Sequence, residues 1–317
     1  MAVIDDIDLN HFEFDLDLTL TVFFMNADGE VYARYGGRDG TSPDARQSLE
    51  GLRYTMASVL DEHNSGRPRF APRRDPARLL IHEVPSAQGR NRCLHCHQAK
   101  EIMHQELKRE GKWSLDRAFR YPLPDNLGFR LEIDRGNVVE RIEPGSVAER
   151  AGLLPNDRVF ALNRIPIHSM ADAQFALDAA PESGSIPVSW WRGDELRQAD
   201  LKAEPGWRRS DISWRASLLS LVALPRLYGP DLTAEEKAAI GLPPDRLAFR
   251  EQDAVSEQAG AAGVREGDII LGFNDVPLRM KAPEFARYVR RHYIAGETVR
   301  INVVRDGQPI TIRMLLK

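Results

Sequence analysis

Gly136-Asn-Val-Val-Glu-Arg-Ile-Glu-Pro-Gly-Ser146-Val-Ala-Glu-Arg-Ala-Gly152-Leu-Leu-Pro-Asn-Asp157-Arg-Val-Phe-Ala-Leu-Asn163 is the stretch on which the fold turns. Its pattern predicts an apolar strand, a Pro-Gly-Ser turn and a short helix capped by Ser146. Gly152 closes that helix, and Asp157 introduces a strand that carries Asn163. The pattern returns at Gly263-Val-Arg-Glu-Gly-Asp268-Ile-Ile-Leu-Gly-Phe-Asn274, and Leu247-Ala-Phe249 precedes it as Leu127-Gly-Phe129 precedes the first. Each copy then predicts a helix and two strands, 186–191 and 196–201 in the first, 298–304 and 310–316 in the second. A repeat of ~100 residues is too long for a solenoid and fits two copies of one small domain.

The repeat resembles the bacterial PDZ domain, on Pro144-Gly-Ser-Val-Ala148, Ala151-Gly-Leu and Asp157, and again on Ala262-Gly-Val-Arg-Glu-Gly-Asp268. The resemblance implies that an extended peptide adds to a sheet edge while its carboxylate meets backbone N–H groups of a tight loop. In the first copy the candidate loop and strand are Leu127, Gly128, Phe129, Arg130 and Leu131. In the second they are Leu247, Ala248 and Phe249, where alanine replaces the glycine. The alternative is that both copies serve only packing or dimerisation. The trypsin-like domain that accompanies such PDZ domains in periplasmic proteases has a Gly-Asn-Ser-Gly-Gly loop, which this chain lacks. Ser183-Gly-Ser185 has no positioned His and Asp, so a protease is not expected.

The two cysteines fall in Cys93-Leu-His-Cys96-His97. Cys-x-x-Cys-His is the attachment signature of c-type haem, with two thioether anchors and an axial histidine. Cys93, Cys96 and His97 are therefore the candidate haem residues, with Met103 as a candidate distal ligand. His104 shares a helical face with His97 and is a poorer partner. Walls would come from residues such as Trp113, Phe119 and Tyr121. Zinc held by the cysteines with His95, His97 or His104 is an alternative. A redox dithiol behind a strand at 79–84 is another.

The N-terminal segment predicts a strand at Thr19–Met25, a turn at Asn26–Gly29, a strand at Glu30–Tyr35 and a helix over Ser48–His63. Ser42 or Asp44 is the candidate cap, and Leu49, Leu52, Met56 and Leu60 the apolar stripe. This hairpin and helix resemble the second half of a thioredoxin fold, without the half that carries the reactive thiol. Residues 64–78 form a Pro- and Arg-rich connector expected to dock on the acidic first segment. The order of parts resembles an uncharacterised bacterial family of thioredoxin-like, PDZ-containing proteins, some of them selenoproteins. The matching stretches include Arg34-Tyr-Gly-Gly-Arg-Asp39, Cys93-Leu-His-Cys-His-Gln98 and Tyr121-Pro-Leu-Pro124. That resemblance implies a chain begun late in its gene, with a signal peptide missing.

Lys and Arg number 43 against 47 Asp and Glu, a net charge of −4, which gives no general attraction for nucleic acid. No apolar run reaches ~18 residues, so no spanning helix is written. The N-terminus has no secretory pattern; the chain reads as cytoplasmic as written, and as periplasmic if its start is incomplete.

The sequence thus predicts an α+β multi-domain chain. Residues 1–63 form half a thioredoxin-like segment, 64–120 the connector and Cys-x-x-Cys-His segment, and 121–204 and 205–317 two PDZ-like β-barrel or sandwich domains. The expected function is a redox-associated scaffold carrying haem c and docking a peptide or protein partner, without its own enzymatic activity. A peptide-binding adaptor stapled by metal or disulfide, and a thiol-disulfide oxidoreductase, are the alternatives. Self-association is left open.

Overall fold

The computed structural model describes residues 6–89, 94–252 and 255–317. The chain divides into two compact units, Met1–Ser210 with Trp214–Ser217, and Asp211–Ser213 with Leu218–Lys317. The N-terminal hairpin, the Arg-rich connector and the first sequence repeat therefore belong to one body.

The first unit opens with antiparallel strands β1 (Val22–Met25) and β2 (Val31–Tyr35). Asn26 makes the turn, its Oδ1 accepting from the backbone N–H of Asp28 and Glu30, and Gly29 takes φ +82°. Helix α1 (Leu49–Asn64) is capped by Ser48, whose Oγ accepts from Gly51 N. Ser42 and Asp44 lie upstream in turns. The face that α1 buries is Gly51, Thr55 and Val59, whereas Leu49, Met56 and Leu60 are exposed. Close approach decides this: a Cβ on Gly51 would fall 2.4 Å from the Ile133 carbonyl oxygen. The thioredoxin-like expectation is not supported, because hairpin and helix pack on the domain that follows.

Residues 79–84, expected as a strand, run into two short 3₁₀ turns, Ile81–Glu83 and Pro85–Ala87. Helix α2 (Cys96–Arg109) follows. Ala99 and Ile102 bury against Leu9, Leu16, Ile81 and Val84. The connector arginines dock as expected on acidic neighbours: Arg69 on Glu62, Arg73 on Asp8 and Arg74 on Glu13, each at 2.7 Å.

The first repeat begins with β3 (Phe129–Leu131), paired with β4 (Val139–Ile142) in register Phe129↔Ile142. Helix α3 (Val147–Arg150) is capped by Ser146, as the sequence predicts. Then come β5 (Arg158–Leu162), β6 (Ile165–Pro166), α4 (Met170–Asp178), β7 (Gly184–Arg192) and β8 (Glu195–Ala203). Their sheet has the order β6-β5-β7-β8. Its core gathers Leu127, Phe129, Val139, Leu162, Phe175, Ile186, Val188 and Trp190.

In the second unit α5 (Ala234–Ala239) precedes β9 (Phe249–Arg250), α6 (Glu257–Ala262), β10 (Ile269–Phe273), α7 (Ala282–His292), β11 (Thr298–Arg305) and β12 (Gln308–Leu315), and from β9 on the order follows that of β4, α3, β5, α4, β7 and β8. The equivalence reaches single bonds. Asp157 binds Arg192 Nε at 2.8 Å and Asp268 binds Arg305 Nε at 2.7 Å. The same arginines donate to the carbonyls of Gly152 and Gly263. Each aspartate also caps the backbone N–H three residues earlier, at Leu154 and Arg265. One buried carboxylate thus ties the helix exit to the long hairpin in both copies.

Candidate peptide groove and the Cys-His segment

β3 spends one edge on β4, and among the described residues no backbone hydrogen bond reaches its other edge. Leu127, Phe129 and Leu131 are each about 1% exposed, so their side chains build the core. What they leave outward is backbone. Gly128 turns the chain into β3 at φ +85°, and a Cβ there would lie 2.0 Å from Ser146 Cβ. Arg130, half-buried, reaches Glu140 at 3.2 Å and Asp39 at 3.8 Å.

The chain itself lies over this region. Arg46 Nε holds Asp39 at 2.8 Å while its second amino group holds Asp125 at 3.0 Å, in the turn just ahead of β3. A Cβ on Gly37 would meet Met170 Cγ in the first turn of α4 at 3.4 Å. Residues 37–46 therefore bridge the loop before β3 and the start of α4. Strand β2 fixes them there. Arg34 N donates to Asp172 Oδ1 at 2.7 Å, Ser169 Oγ donates to the Arg34 carbonyl, and the Arg34 guanidinium stacks on Phe175 at 3.6 Å. Burial pushes the Asp172 carboxyl up to about 7 even though three backbone N–H groups point at it.

Arg46 and Asp172 are not singled out in the sequence, and Arg34 and Asp39 figure there only as the ends of the stretch Arg34-Tyr-Gly-Gly-Arg-Asp39, with no role at this groove. One signal was present, because Ser169 and Asp172 form a capping box three residues apart. That Asp172 also serves β2 is a tertiary fact with no local mark.

In the second unit the strand pair is placed differently from the sequence expectation. Leu247, Ala248 and Phe249 are buried and lead into β9, which pairs with β10. The outer edge of β9 is taken by residues 228–232. Arg250 N donates to Pro230 O, Leu232 N to Ala248 O and Gln252 N to Tyr228 O, at 2.9–3.1 Å. Residues 228–232 thus stand where β3 stands in the first copy, and β9 stands where β4 does. Gly229 permits the contact, since a Cβ there would fall 1.7 Å from the Arg250 carbonyl oxygen. The helix α5 inserted between the two paired stretches hid this alignment from the motif.

Of the Cys-His segment, Cys93 lies outside the described residues. Cys96 opens α2 half-buried against the apolar cluster of Ile81, Ala99 and Ile102, and burial pushes its thiol up, away from reactive thiolate character. His97 stacks on His95 at 5.7 Å. Met103 packs on the same apolar cluster as Cys96. Among the described residues no three His, Cys, Asp or Glu side chains converge as a metal site.

Residues 138–192 match the family model described as PDZ domain, so a PDZ domain is present in the first repeat. Among curated proteins, the chain is 26% identical over 195 residues to a probable periplasmic serine endoprotease, DegP-like, of Hahella chejuensis. That match spans 59% of this chain and 40% of the relative. It is also 26% identical over 146 residues to a probable periplasmic serine protease, do/HhoA-like, of Haemophilus influenzae, spanning 46% of this chain and 29% of the relative. The chain therefore spans well under half the length of these relatives. Among solved structures it is similar to the serine endoprotease from Yersinia pestis, with 17% identity, a TM-score of 0.23 and coverage of 35% and 36% of the two chains. The HtrA-type protease AlgW with decapeptide gives 13%, 0.26, and 50% and 54%.

These comparisons correct the functional expectation. The curated relatives are named as serine proteases. They overturn the reading as a haem-bearing redox scaffold without enzymatic activity, its adaptor and oxidoreductase alternatives, and the redox and selenoprotein associations with it. Cys96 itself packs on apolar side chains, and burial pushes its thiol up. No described helix is long and apolar enough to cross a membrane.

Proposed function

We propose that this chain works in periplasmic proteolysis of the DegP-like kind, and that the PDZ domain at 138–192 selects peptide segments for cleavage. The carrying observation is the unpaired outer edge of β3, which offers main-chain donors and acceptors to an added strand. Proteolysis enters from the names of the relatives, and the periplasm with it. Residues 37–46 stand across the approach to that edge, so peptide capture requires them to move. The equivalent edge in the second unit is residues 228–232.

The test has two arms. Fluorescence anisotropy with labelled peptides ending in an apolar residue reads binding by the full chain and by its Arg46→Ala variant. Casein degradation by the full chain reads hydrolysis. Saturable binding that strengthens in Arg46→Ala supports the recognition reading, and casein cleavage supports proteolysis. A panel in which neither protein binds any peptide, with intact casein, would reject both.

A further inference from the structure

A cavity of about 300 Å³ lies inside the first unit, beneath α2 and away from the β3 edge. Its size falls at the lower end of small-molecule sites. Phe12, Phe14 and Leu16 from the N-terminal segment and Met103 and Leu107 from α2 form its apolar wall. Met103 and Leu107 are four residues apart, so one face of the helix serves the cavity.

Its charged groups can be followed pair by pair. Lys100 is held by Asp17 at 2.7 Å and Asp15 at 3.3 Å. Arg120 is held by Asp178 and by Glu13, and Glu13 also binds Arg74 at 2.7 Å. Glu106 is taken by Arg109 and by Ser86 Oγ. One lining cation is left over. The Arg117 side chain, on the 3₁₀ turn Leu115–Phe119, has no carboxylate partner among the described residues. His104 lines the same cavity without a hydrogen bond among the described residues, and burial pushes its imidazole down to about 4, so it stays neutral at pH 7.

We propose that this cavity binds a small apolar carboxylate of the medium-chain fatty-acid type, its chain among Phe12, Phe14, Leu16, Met103 and Leu107 and its carboxylate on Arg117. The apolar wall supplies affinity through burial of methylene groups. The unmatched guanidinium selects the anion, and a charge-assisted bidentate bond suits its fork geometry. This site is independent of the peptide edge and stands or falls separately from the proteolytic reading.

Calorimetric titration of the full chain with sodium decanoate, and with decanol as the uncharged counterpart, tests it. The expected result is one saturable decanoate site, weakened about tenfold or more in Arg117→Gln, as for a lost bond to a charged group. Decanol should bind more weakly than decanoate and be indifferent to Arg117→Gln. Leu107→Trp should fill the cavity and abolish decanoate binding. Should that variant fail to fold, Arg117→Gln, on a partly exposed residue, still decides. No saturable decanoate binding, equal affinity for decanol, or an unchanged decanoate affinity in Arg117→Gln overturns the proposal.

Discussion

Arg46 and Asp125 are 79 residues apart in sequence and 3.0 Å apart in space, and their pair joins the N-terminal segment to the turn that launches β3. Arg46 is 4% exposed, and Asp39 holds its other edge at 2.8 Å. Truncating one member of a buried pair strands the other, at a cost of about 3–5 kcal/mol. Arg46→Ala should therefore lower thermal stability while exposing the β3 edge. A raised peptide affinity alongside a lowered melting temperature is the expected signature. A lowered melting temperature with unchanged affinity would show that residues 37–46 do not guard the edge.

Asp172 is the acceptor for three backbone N–H groups, of Arg34, His168 and Ser169. Asp172→Ala leaves those donors unsatisfied in a buried place, for a loss of about 2–4 kcal/mol. Denaturant titration should show a lower midpoint. Amide exchange should rise in β2 and in the first turn of α4 together, because one side chain serves both.

Gly229→Ala should break the second unit locally. The added methyl would meet the Arg250 carbonyl oxygen at 1.7 Å, so residues 228–232 must leave the edge of β9. The amides of Arg250, Leu232 and Gln252 donate across that junction and should lose exchange protection, while those of the first unit keep theirs.

Glu251 gives a pH signature. It is buried, with Oε1 unpartnered and Asp268 nearby, and burial pushes its carboxyl up to about 7. A raised carboxyl pKa means the folded state holds its proton more tightly than the unfolded state. Its contribution is favourable at acid pH and is lost as pH rises from the ordinary carboxyl value of 4.5 through about 7. Glu251→Gln should thus be close to neutral at pH 5 and stabilising at pH 8, by on the order of 1 kcal/mol after solvent screening. Melting curves at the two pH values check the sign; a variant less stable at pH 8 than the wild type would refute it.

The repeat was the most legible part of the chain. Ser146 caps its helix as read, and the Asp157 and Asp268 positions that mark the motif turn out to hold Arg192 and Arg305 in equivalent bonds. Local signals of this kind depend on residues within one turn or one hairpin. Where sequence reading failed, the deciding contacts were distant. The apolar stripe Leu49, Met56 and Leu60 looked like the buried face of α1, yet Gly51 faces inward because only a residue without a side chain fits against Ile133. The extended segment 228–232 carries no motif and α5 separates it from its partner, so the conspicuous Leu-Ala-Phe reads as the edge. In the first copy the candidate strand Phe129–Leu131 is legible from its motif, whereas Arg46, which ties residues 37–46 to Asp125 ahead of it, carries none.

The Arg-rich connector has one more consequence. Arg69, Arg73 and Arg74 anchor it along its length, and Ala71 N donates to Val31 O within it. A single protease nick at its exposed Arg67 or Arg78 would leave both ends pinned by bonds that do not run through the cut. The two fragments should co-purify, and separately expressed halves should reassociate, so that covalent continuity at this point is dispensable to the fold.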